Sequence, residues 1–130
     1  MVETEPGHLD VQVVLSSVPV AADLAAEVYD ALVGLVDRVG PATLRVSHTQ
    51  LAFRRRTGFC WLWLPGAHLG RPLPVVVVSV ALAAPDDSPR WKQVVRVSSS
   101  RWMHHLEVRS PGELDEEVAG WVARAYDLAG

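Results

Sequence analysis

The sequence predicts an α+β domain with two layers, in which two helices cover the same face of an antiparallel sheet. Residues 20–39 and 110–128 repeat apolar side chains at intervals of three and four, which is typical of amphipathic helices. Between them, short segments alternate apolar and polar residues and are separated by turn-forming residues, as antiparallel strands are. The order helix, strands, helix therefore favours a helix–antiparallel sheet–helix chain with both helices on one sheet face.

Length and composition favour one globular domain. The chain has 130 residues, of which 49% are hydrophobic and 21% charged, and this balance is unlike that of disordered or collagen-like chains. We expect residues 1–8 to form a flexible N-terminal tail and residues 9–130 to form the domain. Residues 9–19 are ambiguous, because their apolar residues alternate like a strand over a short stretch that ends at Pro19.

The helix boundaries follow from capping signals. Gly40 and Pro41 predict the end of the first helix, since glycine suits the C-terminal cap and proline cannot continue the helix. Ser110 and Glu113 have the spacing of a capping box, with Pro111 at the first helical position, and predict the start of the second helix.

Six segments between the helices predict strands. They are Thr43–Ser47, Gln50–Arg56, Phe59–Leu64, Val75–Leu82, Trp91–Val97 and Trp102–Val108. Thr57 and Gly58 predict a two-residue hairpin turn, and Pro65–Pro74 predicts a loop. With this turn, Arg56 pairs with Phe59 and Phe53 pairs with Leu62, and directly paired residues point to the same face.

The hairpin sorts its residues into an apolar face and a basic, aromatic face. Leu51, Phe53, Cys60, Leu62 and Leu64 share the first face, which suits a core. Because two helices cover only one side of the sheet, we expect the second face to be exposed. The residues that we predict to form a binding surface on this outward side are Arg54, Arg56, Trp61, Trp63, Lys92, Arg96, Arg101 and His105.

This mixture of arginine and tryptophan suggests three interpretations. The first is a non-enzymatic module that binds a protein partner or a second copy of itself, since Trp and Arg are enriched at interfaces. The second is binding of nucleic acid or a small anion, since the same residue types stack on bases and neutralise phosphates. The third is an arginine-on-tryptophan lid over the sheet that binds nothing.

The charge distribution is consistent with the first two interpretations. Residues 41–110 carry ten basic and three acidic side chains, whereas the remaining residues carry two basic and twelve acidic ones. Segregation of this kind marks an interaction surface for acidic partners, or it reflects basic strands packed beside acidic helices.

Motifs for catalysis, metals and cofactors do not occur. The chain has no phosphate-binding loop, no dinucleotide-binding glycine pattern, no nucleophile elbow and no zinc-protease motif. His104 and His105 are adjacent, so on a strand they point to opposite faces and do not share a metal ion. We therefore expect no cofactor and no enzyme, with a small pocket near His104 as the alternative. Otherwise we interpret His104 as a core histidine and Cys60 as an inert core thiol.

Composition also indicates the source of the protein and its location in the cell. Arginine, at eleven residues, far outnumbers the single lysine, which is typical of a high-GC bacterial genome such as that of an actinobacterium. The chain has one cysteine and an acidic N-terminal segment, and it contains no apolar stretch long enough to span a membrane. These features predict a cytoplasmic protein with no membrane partner.

The C-terminal half resembles an uncharacterised bacterial family, the domain-of-unknown-function family 5655. The resemblance is carried by Thr49–Phe53, by the Trp91–Val97 strand and by the run from His104 through Ser110-Pro111, Glu113-Leu114-Asp115 and Trp121-Val122 to Ala125-Tyr126. It covers residues 20–130, and His104 matches a histidine of the family. The resemblance implies a small helix–strands–helix fold and implies no activity.

Overall fold

A computed structural model describes residues 2–6, 9–17, 21–64 and 75–130. Its elements are β1 (Val2–Thr4), α1 (Val11–Leu15), α2 (Ala22–Val39), β2 (Ala42–Val46), β3 (Gln50–Arg54), β4 (Gly58–Trp63), β5 (Val76–Leu82), β6 (Gln93–Ser98), β7 (Arg101–Val108), a 3-10 turn (Pro111–Glu113) and α3 (Glu116–Leu128). The strands form a seven-stranded sheet in the order β1-β2-β3-β4-β5-β7-β6. All pairs are antiparallel except β1 with β2. The predicted α+β fold is confirmed, and the predicted loop Pro65–Pro74 lies outside the described residues.

The helices α2 and α3 pack on one face of the sheet, which we call the helix face. Tyr29 of α2 stacks on Phe53 of β3 with the ring centroids 6.5 Å apart. Phe53 is paired with Cys60, Cys60 with Val80, and Val80 with His104, so these four side chains lie on the same face. All four are buried, and their side is the main hydrophobic core.

The contact of α3 with this face runs through two aromatic side chains. Tyr126 meets Phe59 edge to face at 5.3 Å, and Trp121 packs at 4.2 Å against Trp91. The Trp91 ring in turn lies 5.0 Å from the ring of His104, which belongs to the helix face. The predicted face for Leu51, Phe53, Cys60 and Leu62 is therefore confirmed, because all four are fully buried beneath the helices.

The end of α2 is where the sequence places it. Gly40 caps the helix, and its N–H donates to the carbonyl oxygen of Val36 at 3.2 Å. The Tyr126 hydroxyl donates to the carbonyl oxygen of Pro41 at 2.8 Å. A Cβ atom on Gly40 would collide with that hydroxyl, so glycine is required here by the close approach of α3.

The predicted capping box at Ser110 and Glu113 is present, but it opens a 3-10 turn and not α3 itself. Glu113 accepts backbone hydrogen bonds from Ser110 at 2.8 Å and from Arg109 at 2.7 Å, but these bonds close the 3-10 turn and do not open α3. The helix begins at Glu116, and its N-cap is Asp115, which accepts from the N–H of Val118 at 3.2 Å. Aspartate is a preferred N-cap residue, and Asp115 lies inside the helix that the sequence predicted. This explains why α3 begins later than predicted.

The N-terminal segment is also more ordered than expected. Val2–Thr4 form β1 and pair in parallel with Ala42–Leu44, so these residues are not part of a free tail. Residues 11–15 form the short helix α1, although their pattern had suggested a strand. Asp10 caps α1 by accepting from the N–H groups of Gln12 at 2.8 Å and Val13 at 3.3 Å.

The β3–β4 hairpin has a longer loop than predicted. Arg55–Thr57 form the connection, and Phe53 pairs with Cys60 instead of with Leu62. The cause is a tertiary contact: the N–H groups of Arg56 and Thr57 both donate to the carbonyl oxygen of Ala129, at 3.0 and 3.3 Å. Since the register moves by two residues, most side chains keep their predicted face.

Phe59 does not keep its predicted face: the expected pairing with Arg56 placed it on the outward side, and that placement was wrong. An irregularity in the pairing lies between Phe53 and Arg54, where Arg54 pairs with Gly58 and Phe59 is left over. A bulge of this type turns the side chain of the extra residue. Phe59 is consequently fully buried against Tyr126 on the helix face.

Candidate functional site

The sheet face opposite α2 and α3, which we call the outward face, carries a group of large side chains at its centre. Trp61, Ser79 and His105 lie in one row across β4, β5 and β7, and Trp63 and Met103 flank that row. We call Trp61, Trp63, Met103 and His105 the aromatic patch. All four patch residues are half-buried, whereas Ser79 beneath them is fully buried.

A chain of hydrogen bonds holds the patch in one geometry. The indole Nε1 of Trp63 donates to Oγ of Ser79 at 2.9 Å, and this Oγ lies 2.6 Å from Nδ1 of His105. Because indole only donates, the serine hydroxyl accepts from Trp63 and has its own proton to give to His105. An imidazole that accepts this hydrogen bond at Nδ1 is neutral and carries its own proton on Nε2.

Burial favours the same protonation state of His105. Desolvation lowers the pKa of His105 below its ordinary value, and the neighbouring His104 acts in the same direction. The patch therefore includes an uncharged imidazole at neutral pH.

The arginines at the margin of the patch already have partners. Arg45 bonds through Nε to the Glu5 carboxylate at 3.0 Å, and Nε of Arg54 lies 4.0 Å from the same carboxylate. Arg101 donates from Nη2 to the carbonyl oxygen of Gly58 at 2.6 Å. The charge of these guanidinium groups is thus partly neutralised or used to hold the hairpin in place.

Five of the eight predicted binding residues come together on the outward face. These are Arg54, Trp61, Trp63, Arg101 and His105. Arg56 lies apart from them, exposed in the β3–β4 loop beside the C-terminal end of α3. Lys92 is exposed just before β6 and lines a cleft of about 440 Å³ with residues that include Arg90, Arg109 and Glu113.

The predicted placement of Arg96 was wrong. Arg96 pairs with Trp102, which pairs with Leu82 on the helix face, and its guanidinium lies 5.7 Å from the centre of the Trp102 ring. Its neighbour Val95 pairs with Met103 on the outward face, although alternation with an outward Arg96 would place it on the apolar side. The alternation misled because β6 lies at the sheet edge, where Val94 and Val95 are both half-buried and burial does not sort the two faces.

Two polar residues of the outward face were not predicted. Ser79 lies in a strand that looks uniformly apolar, and its only signal is a lone hydroxyl among valines. Gln50 pairs with Trp63, and its Oε1 is buried with no hydrogen-bond partner among the described residues. No sequence pattern marks a buried amide of this kind, because its burial depends on side chains from neighbouring strands.

His104 has the structural role that the sequence left open. Its Nε2 accepts from the backbone N–H of Asp86 at 2.9 Å, and its Nδ1 lies 3.0 Å from the carbonyl oxygen of Trp102. Both ring nitrogens are therefore engaged, and the side chain is 0% exposed. Burial lowers the pKa of His104, so this histidine is neutral and ties the β5–β6 connection to the sheet.

The β5–β6 connection is also held by the side chain of Asp86. The Asp86 carboxylate accepts from Nε1 of Trp91 at 2.9 Å and from the N–H of Ser88 at 3.1 Å. These bonds, with the indole of Trp91 foremost, lower the pKa of Asp86. Arg90 then joins this connection to α3 by bonding Asp115 at 3.0 Å and Glu117 at 2.8 Å.

Cysteine and metal chemistry receive no geometric support in the described part of the chain. Cys60 is fully buried, and desolvation raises the pKa of its thiol to about 12. No three His, Cys, Asp or Glu side chains of the described residues are grouped so that they could hold a metal ion. Within the same residues, no helix has the length and apolar character needed to cross a bilayer.

Comparison with known proteins gives one match. The model of a family described as a domain of unknown function, DUF5655, matches residues 19–129. No curated protein matches the chain, and no solved structure matches it. Because the matched residues make up most of the chain, the protein belongs to the DUF5655 family.

Proposed function

We propose that this protein is an interaction module that docks another protein on the aromatic patch. The observation that carries the proposal is the hydrogen-bonded series Trp63–Ser79–His105, which fixes half-exposed aromatic side chains on a sheet face. The helices α2 and α3 pack on the other face and α1 packs on α2, so no described helix covers the patch. Rigid aromatic and methionine side chains are enriched in the centres of protein interfaces.

The charges around the patch favour a protein partner over a nucleic acid. Binding to phosphates needs cationic side chains that are free to replace counterions. Arg45 and Arg54 instead face Glu5, and Arg101 donates to a backbone carbonyl. Glu107, on the same strand as His105, lies 3.5 Å from Arg109. An aromatic centre within a rim of mixed, paired charges suits a protein surface.

Burial also argues against the Ser79–His105 pair as a hydrolytic dyad. A serine nucleophile must reach a substrate carbonyl within about 3–3.5 Å. Ser79 is 0% exposed, and its oxygen already accepts a bond from Trp63. The pair is better suited to holding His105 in place than to attacking a substrate.

Site-specific photo-crosslinking tests the proposal. A photoreactive phenylalanine is introduced at Trp61 and, as a matched control, at Val13, which is 65% exposed on α1 and distant in sequence from the patch. We expect one discrete protein adduct in living cells from position 61 and none from position 13. The adduct is identified by mass spectrometry, and the purified partner is then titrated against wild type, Trp61→Arg and Val13→Arg.

The expected affinities separate the patch from the rest of the surface. Trp61→Arg should weaken binding at least tenfold, because a charged side chain replaces a central aromatic contact, while Val13→Arg should leave binding unchanged. Equal crosslinking at both positions, equal affinities of the two variants, or an adduct that nuclease digestion removes would each refute a protein-docking patch.

A further inference from the structure

The two edges of the sheet are different in kind. At one edge, β1 has only three residues, contains Glu3 and is followed by Glu5. At the other edge, β6 has six residues, Gln93–Ser98, and among the described strands it pairs with β7 alone. Short strands and charges protect an edge from further pairing, so β1 is protected whereas β6 is not protected in that way.

The side chains of β6 suit pairing with another strand. The strand contains three valines, no proline, no acidic residue and a single charge at Arg96. Val97 is 55% exposed. Few large apolar side chains among the described residues are exposed to this extent. Besides the charge of Arg96, the feature that opposes further strand pairing is an irregularity between Arg96 and Ser98. It leaves Gln93–Arg96 as the regularly paired part of β6.

An edge strand of this kind needs an extended backbone as its partner. Alternate N–H and C=O groups of β6 point away from β7, and only another strand can satisfy them in series. We propose that this partner is β6 of a second copy, paired antiparallel about a two-fold axis. The proposal rests on the sheet edge and is independent of the proposed function of the aromatic patch.

The charges of the strand select one register for the pair. With Val95 on the two-fold axis, Arg96 faces Val94 of the second copy and Gln93 faces its Val97. If Val94 were on the axis, Arg96 would face Lys92; if Arg96 were on the axis, it would face itself. Like charges directly opposite each other destabilise a strand pair, so the Val95 register is the favoured one.

Such pairing has a consequence for the aromatic patch. The two-fold axis is perpendicular to the sheet, so both copies keep their outward faces on the same side of one continuous sheet. Two patches would then be presented side by side to a partner. The interface is confined to one short strand from each copy, so we expect a dimer that depends on protein concentration.

Placing a charge at Val95, on the two-fold axis, tests the pairing and its register together. Sedimentation equilibrium should show the mass of wild type rising with concentration from 14.2 kDa towards twice that value. Val95→Lys and Val95→Glu should each remain monomeric, because each places two like charges opposite one another. An equimolar mixture of the two should dimerise again, since the introduced lysine of one chain then faces the introduced glutamate of the other.

Two controls establish that the strand edge itself carries the interface. Val13→Lys, which places the same charge on another exposed valine, should dimerise as wild type does. Urea unfolding of each variant checks that the fold is retained. The proposal is wrong if wild type stays monomeric at millimolar concentration, if Val95→Lys still dimerises, or if the mixture of folded variants stays monomeric. Loss of the dimer in Trp61→Arg would assign self-association to the patch instead, which would support the docking function and overturn the edge pairing.

Discussion

The hydroxyl oxygen of Ser79 lies 2.6 Å from Nδ1 of His105, in the middle of a sheet face that the helices leave uncovered. Trp63 donates to the same oxygen, which keeps its own proton and a second lone pair for His105. If His105 gained a proton on Nδ1, that nitrogen would donate, and the serine hydroxyl would have to turn its own proton away. Protonation of His105 would thus rearrange the hydrogen bonds at the centre of the patch.

Stability should fall as the solution becomes mildly acidic. The folded pKa values of His104 and His105 are both lowered, chiefly by burial, so the unfolded chain binds more protons near its own pKa of about 6.5. The contribution of such a group to the free energy of unfolding is fully present above the unfolded pKa. It is lost as the pH falls from that value to the lower pKa of the folded state. We expect the midpoint of urea unfolding to decrease between pH 8 and pH 5.5.

The origin of this pH dependence can be checked with one variant. His105→Gln removes one of the two histidines whose pKa is lowered and should flatten the dependence on pH. The lowered pKa values of Asp86, Asp115 and Glu116 act at lower pH, because the ordinary values of carboxyl groups are near 4. A midpoint that stays constant from pH 8 to pH 5.5 would contradict neutral, buried histidines.

Two glycine-to-alanine substitutions in or beside the same helix should have opposite effects. Gly40→Ala places a methyl group against the Tyr126 hydroxyl and should cost about 1–3 kcal/mol, as overpacking does. Gly34→Ala has open space around the new methyl group and should stabilise α2 by up to about 1 kcal/mol through helix propensity. Chemical denaturation measures both changes.

The cause of the Gly40 effect is identified by a second substitution. Tyr126→Phe removes the hydroxyl that the methyl group meets, together with its bond to Pro41. Gly40→Ala should therefore cost less in the Tyr126→Phe background than in wild type. Equal costs in the two backgrounds would show that the strain lies in the backbone and not in this contact.

Trp121 should be among the most sensitive positions of α3. Its indole is buried against Trp91 at 4.2 Å and also lies beneath the Arg90 guanidinium at 5.6 Å. We expect Trp121→Ala to cost about 3–5 kcal/mol in unfolding free energy and Trp121→Phe distinctly less. If Trp121→Ala left the unfolding midpoint unchanged, α3 would not be part of the core.

The N-cap of α3 gives a direct comparison between the predicted and the observed helix start. Asp115→Ala removes the cap on Val118 and a carboxylate that Arg90 binds, so it should lower the unfolding midpoint. Ser110→Ala should lower it less, because the Glu113 carboxylate bonds backbone N–H groups that this change keeps. A larger effect at Ser110 would place the true start of the helix at the 3-10 turn.

The sequence is most informative where burial sorts residues by face. Gly40 ends α2 as predicted, and Leu51, Phe53, Cys60 and Leu62 lie under the helices as predicted, because one covered face imposes a strict alternation. The placement of Trp61, Trp63 and His105 on the opposite face follows from the same alternation. Their role in binding stays a prediction.

Contacts between distant parts of the chain explain the errors. The hairpin loop is set by Ala129, more than seventy residues away, and no local turn rule contains that bond. Arg96 was misplaced because an edge strand is half-exposed on both sides. Ser79 was overlooked because its importance comes from Trp63 and His105, which reach it from two different strands.

The strand order also sets a sequence of folding events. β6 and β7 are joined by a tight connection, so this hairpin can form locally, whereas β1 must find β2 across the whole length of α2. Because closing a long loop has a large entropic cost before any contact rewards it, the β1–β2 pair should form late. Its amide protons should exchange with solvent faster than those of β4 and β5, which are paired on both sides.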